Sequence, residues 1–151
     1  MAYPIQVVID CHNPARLVEF WAKALDYEPE APPEGFDTWN DYWRHLKVPE
    51  EELDTERDSC DSIVDPAGAG PRIWFQIVPE HKTIKNRVHL DVRVSGGLRD
   101  VPRPIRKERV DTKCAELVEA GASVVLVHDV EGSEHYAITM RDPEGNEFCL
   151  N

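Results

Sequence analysis

Apolar and polar positions change period along this chain, and the changes mark its elements. The β-branched stretch Ile5-Gln6-Val7-Val8-Ile9-Asp10 reads as a strand, with Gln6, Val8 and Asp10 on one face and Val7 and Ile9 on the other. From residue 14 the spacing becomes helical. Leu17, Phe20, Trp21, Ala24 and Leu25 recur at i, i+3, i+4, i+7 and i+8, which predicts a helix over 14–25. Asn13 suits its N-cap and Pro14 its first turn. After Pro29 the chain turns Pro-rich and irregular. Trp39, Tyr42, Trp43 and Leu46 restore helical spacing and predict a short amphipathic helix over 36–47. The acidic stretch 49–58 reads as a solvated loop. Residues 60–64 and 72–78 read as strands around the turn string Asp65-Pro66-Ala67-Gly68.

The second half repeats this order. Residues 87–94 alternate as a strand, placing His89, Asp91 and Arg93 on one face and Leu90 and Val92 on the other. A proline-rich loop over 96–105 leads into a helix with Val110, Cys114, Leu117 and Val118 on one face and Gly121 as its stop. Strands follow over 123–127, 136–140 and 147–150, the last two flanking a second turn, Asp142-Pro143-Glu144-Gly145. The element order is βαβββ twice, within one domain: a first module over about 4–79 and a second over about 86–151. The expected fold class is α+β with mixed sheets, the first module carrying the extra short helix.

Composition narrows the partners. The chain has 151 residues and a net charge of -12, from 29 Asp plus Glu against 17 Lys plus Arg. A surface that negative repels phosphates, so neither nucleic acid nor an anionic membrane is an expected partner. No stretch reaches the ~20 apolar residues of a membrane span, and the start carries no basic-then-apolar signal. Cys11, Cys60, Cys114 and Cys149 are widely spaced with no C-x-x-C pair, which reads as free thiols in a cytoplasmic protein.

The closing string Asp142-Pro143-Glu144-Gly145-Asn146-Glu147-Phe148-Cys149-Leu150 resembles the C-terminal signature of the vicinal oxygen chelate superfamily, the group of glyoxalase I, extradiol dioxygenases and bleomycin-resistance proteins. Asp10-Cys11-His12-Asn13-Pro14 leading into Phe20-Trp21, Asp65-Pro66 through Phe75-Gln76, and Asn86 through Asp91 agree with its glyoxalase-like branch. The resemblance spans nearly the whole chain. It implies two βαβββ modules whose half-open sheets surround a cleft, and in most members a divalent metal (Zn, Ni, Fe or Mn) chelated by two neighbouring substrate oxygens. The ligand positions it implies are Gln6, Gln76 or Trp74, His89 and Cys149. Cys149 stands where glyoxalase I has a glutamate that both ligates and moves a proton. One His, one Cys and two amides are a weak set for a dication and include no carboxylate base.

The site residues admit two readings each. His89 is either acid, base or ligand tuned by Asp91, or part of a salt-bridged structural network with Asp91 and Arg93. Asp10 is either a general base or a structural partner of Arg93. Cys149 is either a ligand or nucleophile, or an inert thiol. Trp39 and Trp43 either pack the core or cap a ligand pocket. The expected ligand-contacting set is Gln6, Asp10, Trp74 or Gln76, His89, Asp91, Arg93 and Cys149, with Trp39 and Trp43 beside it. Two functions fit: a metal-assisted lyase, isomerase or dioxygenase acting on a small oxygen-bearing molecule, or a metal-free cup that sequesters a small hydrophobic or cationic compound. Open strand edges point to a homodimer.

Overall fold

Asn13 caps the first helix, two residues after the first strand ends at Cys11. Its side chain accepts a hydrogen bond from Arg16 N at 3.0 Å, and Pro14 occupies the first helical turn. The structure, a computed structural model, describes residues 2–96 and 100–151. The chain divides into two units, 1–80 and 81–151.

In the first unit, β1 (Gln6–Cys11), α1 (Pro14–Leu25), β2 (Glu28–Pro29), α2 (Trp39–His45), a 3-10 turn at Glu50–Glu52, β3 (Ser62–Val64) and β4 (Arg72–Ile77) follow in order. The sheet order is β1-β4-β3-β2, with β1 parallel to β4 and the other pairs antiparallel. The apolar stripe of α1 buries Leu17, Val18, Phe20, Trp21 and Ala24, and the helix packs on β3 and β4, whose Ile63, Ile73 and Phe75 are also buried. The parity expected for β1 holds: Gln6, Val8 and Asp10 are exposed, while Val7 and Ile9 are half-buried and Cys11 is buried.

The second unit has β5 (Asp91–Val92), α3 (Arg103–Glu119), β6 (Ser123–Asp129), β7 (Tyr136–Arg141) and β8 (Glu147–Leu150). Its sheet order, β5-β8-β7-β6, repeats the first: opening strand, closing strand, then the two inner strands in reverse. The parallel pair is again first with last. Val110, Cys114 and Leu117 of α3 are buried, as are Ile138, Met140, Phe148 and Leu150. The α+β class and the mixed sheets are therefore as expected. No helix among the described residues is long and apolar enough to cross a membrane.

Four element readings change. The strand expected over 87–94 contracts to Asp91–Val92, because its ladder with β8 begins only where Cys149 N donates to Leu90 O. His89 therefore sits just before the strand. The helix expected over 36–47 narrows to Trp39–His45, because Thr38 Oγ1 caps it by accepting from Asp41 N. The proline-rich loop ends earlier than expected: Pro102 precedes α3 and Pro104 lies in its first turn, where a missing N–H costs nothing. Val118 is 46% exposed, and Arg106 takes a buried place on that helix instead. The Arg106 guanidinium donates to Val101 O, Glu134 O and Glu134 Oε2, each at 2.9 Å, which satisfies the buried charge.

Candidate functional site on the second unit

The first and last strands of the second unit lie side by side, and their register puts Asp91 opposite Cys149. His89, two residues earlier, reaches the same place. Its Nε2 lies 3.3 Å from Asp91 Oδ1, with both side chains about half exposed. One donor atom from each of His89, Asp91 and Cys149 falls within 4.8 Å of the others. The other Asp91 oxygen accepts from Asn151 Nδ2 at 3.2 Å, which fixes the carboxylate's orientation. Arg93 continues the exposed face beyond the end of β5.

The next strand extends this polar line. β7 pairs Thr139 with Cys149, and Thr139 Oγ1 lies 3.4 Å from the Cys149 sulfur. On its other side, Thr139 Oγ1 lies 3.0 Å from His128 Nε2. His128, Thr139 and Asn151 lie outside the site expected from the sequence. The signal was the pairing of β7 with β8, which residue order alone does not fix. Thr139 also lines an open groove of about 470 Å³ that continues past Lys82, Lys85, Arg141 and Glu147.

Glu147 faces the same side as Cys149 by parity and is 9% exposed. Its Oε2 accepts from Asn86 N and from Lys82 Nζ, both at 3.0 Å. The Asn86 N–H and, secondarily, the Lys82 ammonium outweigh burial and hold this carboxyl at about 2. So low a pKa makes Glu147 a poor base at neutral pH. The one last-strand carboxylate beside the cluster is thus committed to holding the 82–86 segment against β8.

On the first unit, the exposed sheet face pairs Gln6 with Arg72, Val8 with Trp74 and Asp10 with Gln76. Arg72 ties much of it down. Its Nη1 donates to Gln6 Oε1 at 2.8 Å, and its Nε and Nη2 donate to Glu30 Oε2 at 2.8 and 2.6 Å. The Arg72 hydrogen bonds hold the Glu30 carboxyl below its ordinary value against the opposing effect of burial. Trp74 Nε1 donates to Asp61 Oδ2 at 2.8 Å. Trp74 and Gln76 share the face, as their parity requires. An indole offers only a donor, so of these two only Gln76 has an atom to give a metal. Trp39 is buried and stacks on Trp43 with ring centroids 5.4 Å apart; its Nε1 donates to Glu30 O at 2.7 Å.

Two units that repeat one βαβββ order, each pairing its first strand in parallel with its last, define a paired-module α+β fold. The model of the glyoxalase-like domain matches residues 6–151, and the chain belongs to that family. Solved structures agree in fold. A hypothetical protein from S. aureus is 16% identical with a TM-score of 0.60, over 99% of this chain and 93% of that one. A glyoxalase/bleomycin resistance protein/dioxygenase family enzyme from Burkholderia phytofirmans is 16% identical with a TM-score of 0.58, over 97% and 94%. The fosfomycin resistance protein FosX from Listeria monocytogenes, solved with Mn(II) and 1S,2S-dihydroxypropylphosphonic acid, is 11% identical with a TM-score of 0.60, over 100% and 90%. No curated protein matches the chain by sequence.

The donor chemistry of the second unit fits a divalent metal better than the ligand set implied by the sequence. That set had no carboxylate. Asp91, first read as a tuner of His89, brings one to within 4.8 Å of the imidazole and the thiol. Donors on one tetrahedral ion stand roughly 3–4 Å apart given metal–ligand bonds of about 2.0–2.3 Å, so modest rotamer changes at half-exposed side chains close the set. Nitrogen, oxygen and sulfur together suit a borderline-soft ion such as Zn, Fe or Ni.

Proposed function

We propose that this protein is a metal-assisted enzyme acting on a small oxygen-bearing molecule, with His89, Asp91 and Cys149 as the metal-binding residues of its second unit. The observation that carries this reading is the convergence of their three donor atoms within 4.8 Å. When bound, a dication there supplies Lewis acidity to substrate oxygens.

The chain's own residues do the rest. Asn151 orients Asp91 by donating to its outer oxygen. Thr139 Oγ1 sits between the Cys149 sulfur and His128 Nε2, so the hydroxyl can give its proton to the imidazole as it takes one from the opposite side, with no alkoxide left behind. His128 is the base this arrangement favours, because Glu147 is held ionised by its own donors and binds protons too weakly to compete near pH 7. The groove of about 470 Å³ beyond Thr139 is of small-molecule size.

Metal analysis of protein purified without a histidine tag tests the proposal. It predicts about one equivalent of a first-row metal per chain after reconstitution and dialysis, and none for His89→Ala. Wild type that retains no metal would overturn the enzyme reading and leave the metal-free binding alternative. Turnover is a separate test: a variant at Thr139 or His128 that keeps its metal should lose activity.

The free state of all four cysteines supports a reducing compartment, the cytoplasm. The edge strand β6 supports a homodimer. Its Val124, Val125, Leu126 and Val127 are each 45–54% exposed, an apolar edge that a second copy would cover.

A further inference from the structure

The first unit carries a cavity that the metal-site reading does not use. It is a groove of about 430 Å³ where the end of β1, the start of α1, the Trp43 face of α2 and the chain before β3 meet. Its apolar wall is built from the Trp43 ring, Val48, Leu53 and Ile77, and Ile77 is 69% exposed although it ends a strand. Its charge is one-sided. Glu52, Asp54 and Asp61 line it together with the His12 imidazole, and no Lys or Arg does. The start of α1 contributes at most about half a positive charge, which three carboxylates exceed.

The details strengthen this sign. Asp61 is only partly exposed; the neutral indole of Trp74 donates to its Oδ2, and the Arg72 guanidinium, which is hydrogen-bonded to Glu30 and Gln6, acts on it only through space. Burial raises its pKa despite that bond. Such a group gains from a positive ligand that replaces lost water. Cys60 stays a thiol, raised by burial, with its Sγ toward Ser62 O at 3.3 Å, and adds no charge. Trp43 is pinned by Nε1 donating to Ser59 O at 3.3 Å and by its stack on Trp39. A fixed indole face beside carboxylates is an arrangement that favours quaternary and protonated amines.

We infer that this groove binds small organic cations, an ammonium group carried on an aryl or alkyl body, with the body against Trp43, Val48 and Leu53 and the charge toward Asp61 and Glu52. The groove's lining belongs to the first unit alone, and the inference stands whether or not His89, Asp91 and Cys149 bind metal.

Titration with benzyltrimethylammonium, followed by tryptophan fluorescence and calorimetry, tests it, with benzyl alcohol and benzoate as neutral and anionic controls of similar size. The cation should bind at least tenfold tighter than benzyl alcohol, and benzoate should not bind. Asp61→Asn and Glu52→Gln should each weaken the cation at least threefold without changing the neutral control, and His89→Ala should change nothing. Glu52 is exposed, so its variant keeps the test sound if Asp61→Asn fails to fold. Equal binding of cation and alcohol would overturn the inference, as would full cation affinity in Glu52→Gln or in a folded Asp61→Asn.

Discussion

His89 is the strongest neutral donor in the cluster, and the account rests on it at the scale of single residues. His89→Ala should abolish metal uptake, whereas Cys149→Ala should only weaken it, because imidazole and carboxylate remain; equilibrium dialysis against Zn separates the two. Asp91→Asn keeps the shape but replaces a charged oxygen donor with a neutral amide, and should weaken metal affinity by more than the roughly 10–100-fold lost when only an outer partner of a ligand is removed. Glu147 gives a prediction in pH. Its folded pKa of about 2 lies below the ordinary glutamate value of about 4.3, so its stabilising effect is present above that value and is lost as pH falls toward 2. Glu147→Gln should therefore flatten the acid limb of a stability profile between about pH 5 and 2 while changing the curve's shape little above it; an acid limb as steep as wild type's would contradict this. Parity along the sequence put His89 and Asp91 on one face, and the family resemblance added Cys149. Neither could show that Asp91 points at the same spot as the sulfur, nor that Thr139 links Cys149 to His128, since both depend on which strands pair and in what register.

At the scale of elements, α1 was the most legible, because its apolar stripe, its Asn13 cap and Pro14 all give the same answer. Asn13→Ala should cost about 1 kcal/mol in a denaturant titration, the usual loss for a side-chain cap. Phe75 is fully buried in β4, the strand that α1 and β3 both contact; Phe75→Ala should cost about 3–5 kcal/mol, and a loss under 1 kcal/mol would show that β4 is not a core strand. The short elements were harder to read. Alternation over 87–94 is real as a pattern of exposure, yet only Asp91 and Val92 meet a partner strand. Period reports which face is apolar; it does not report where the neighbouring strand ends. Val118 misled for a similar reason, since it lies one residue past Leu117, and the stripe of α3 turns toward Arg106, whose long side chain finds three acceptors.

For the whole molecule, the repeated βαβββ order and the twin Asp-Pro turns were readable because each half folds its own sheet with the same strand order. Family membership followed from the same landmarks. The apolar edge at β6 carries the prediction of a homodimer. Sedimentation at micromolar concentration should give a dimer, and Leu126→Lys should shift it to monomer without unfolding it; a wild-type monomer would contradict the assignment. The central claim is the three-residue metal site, and Co(II) titration of the metal-free, untagged protein tests it most directly. The account predicts a saturable sulfur-to-cobalt charge-transfer band at about one equivalent, lost in Cys149→Ala while weaker cobalt binding persists, and lost together with binding in His89→Ala. Saturable cobalt binding with no sulfur band, or a band unchanged in His89→Ala, would contradict it.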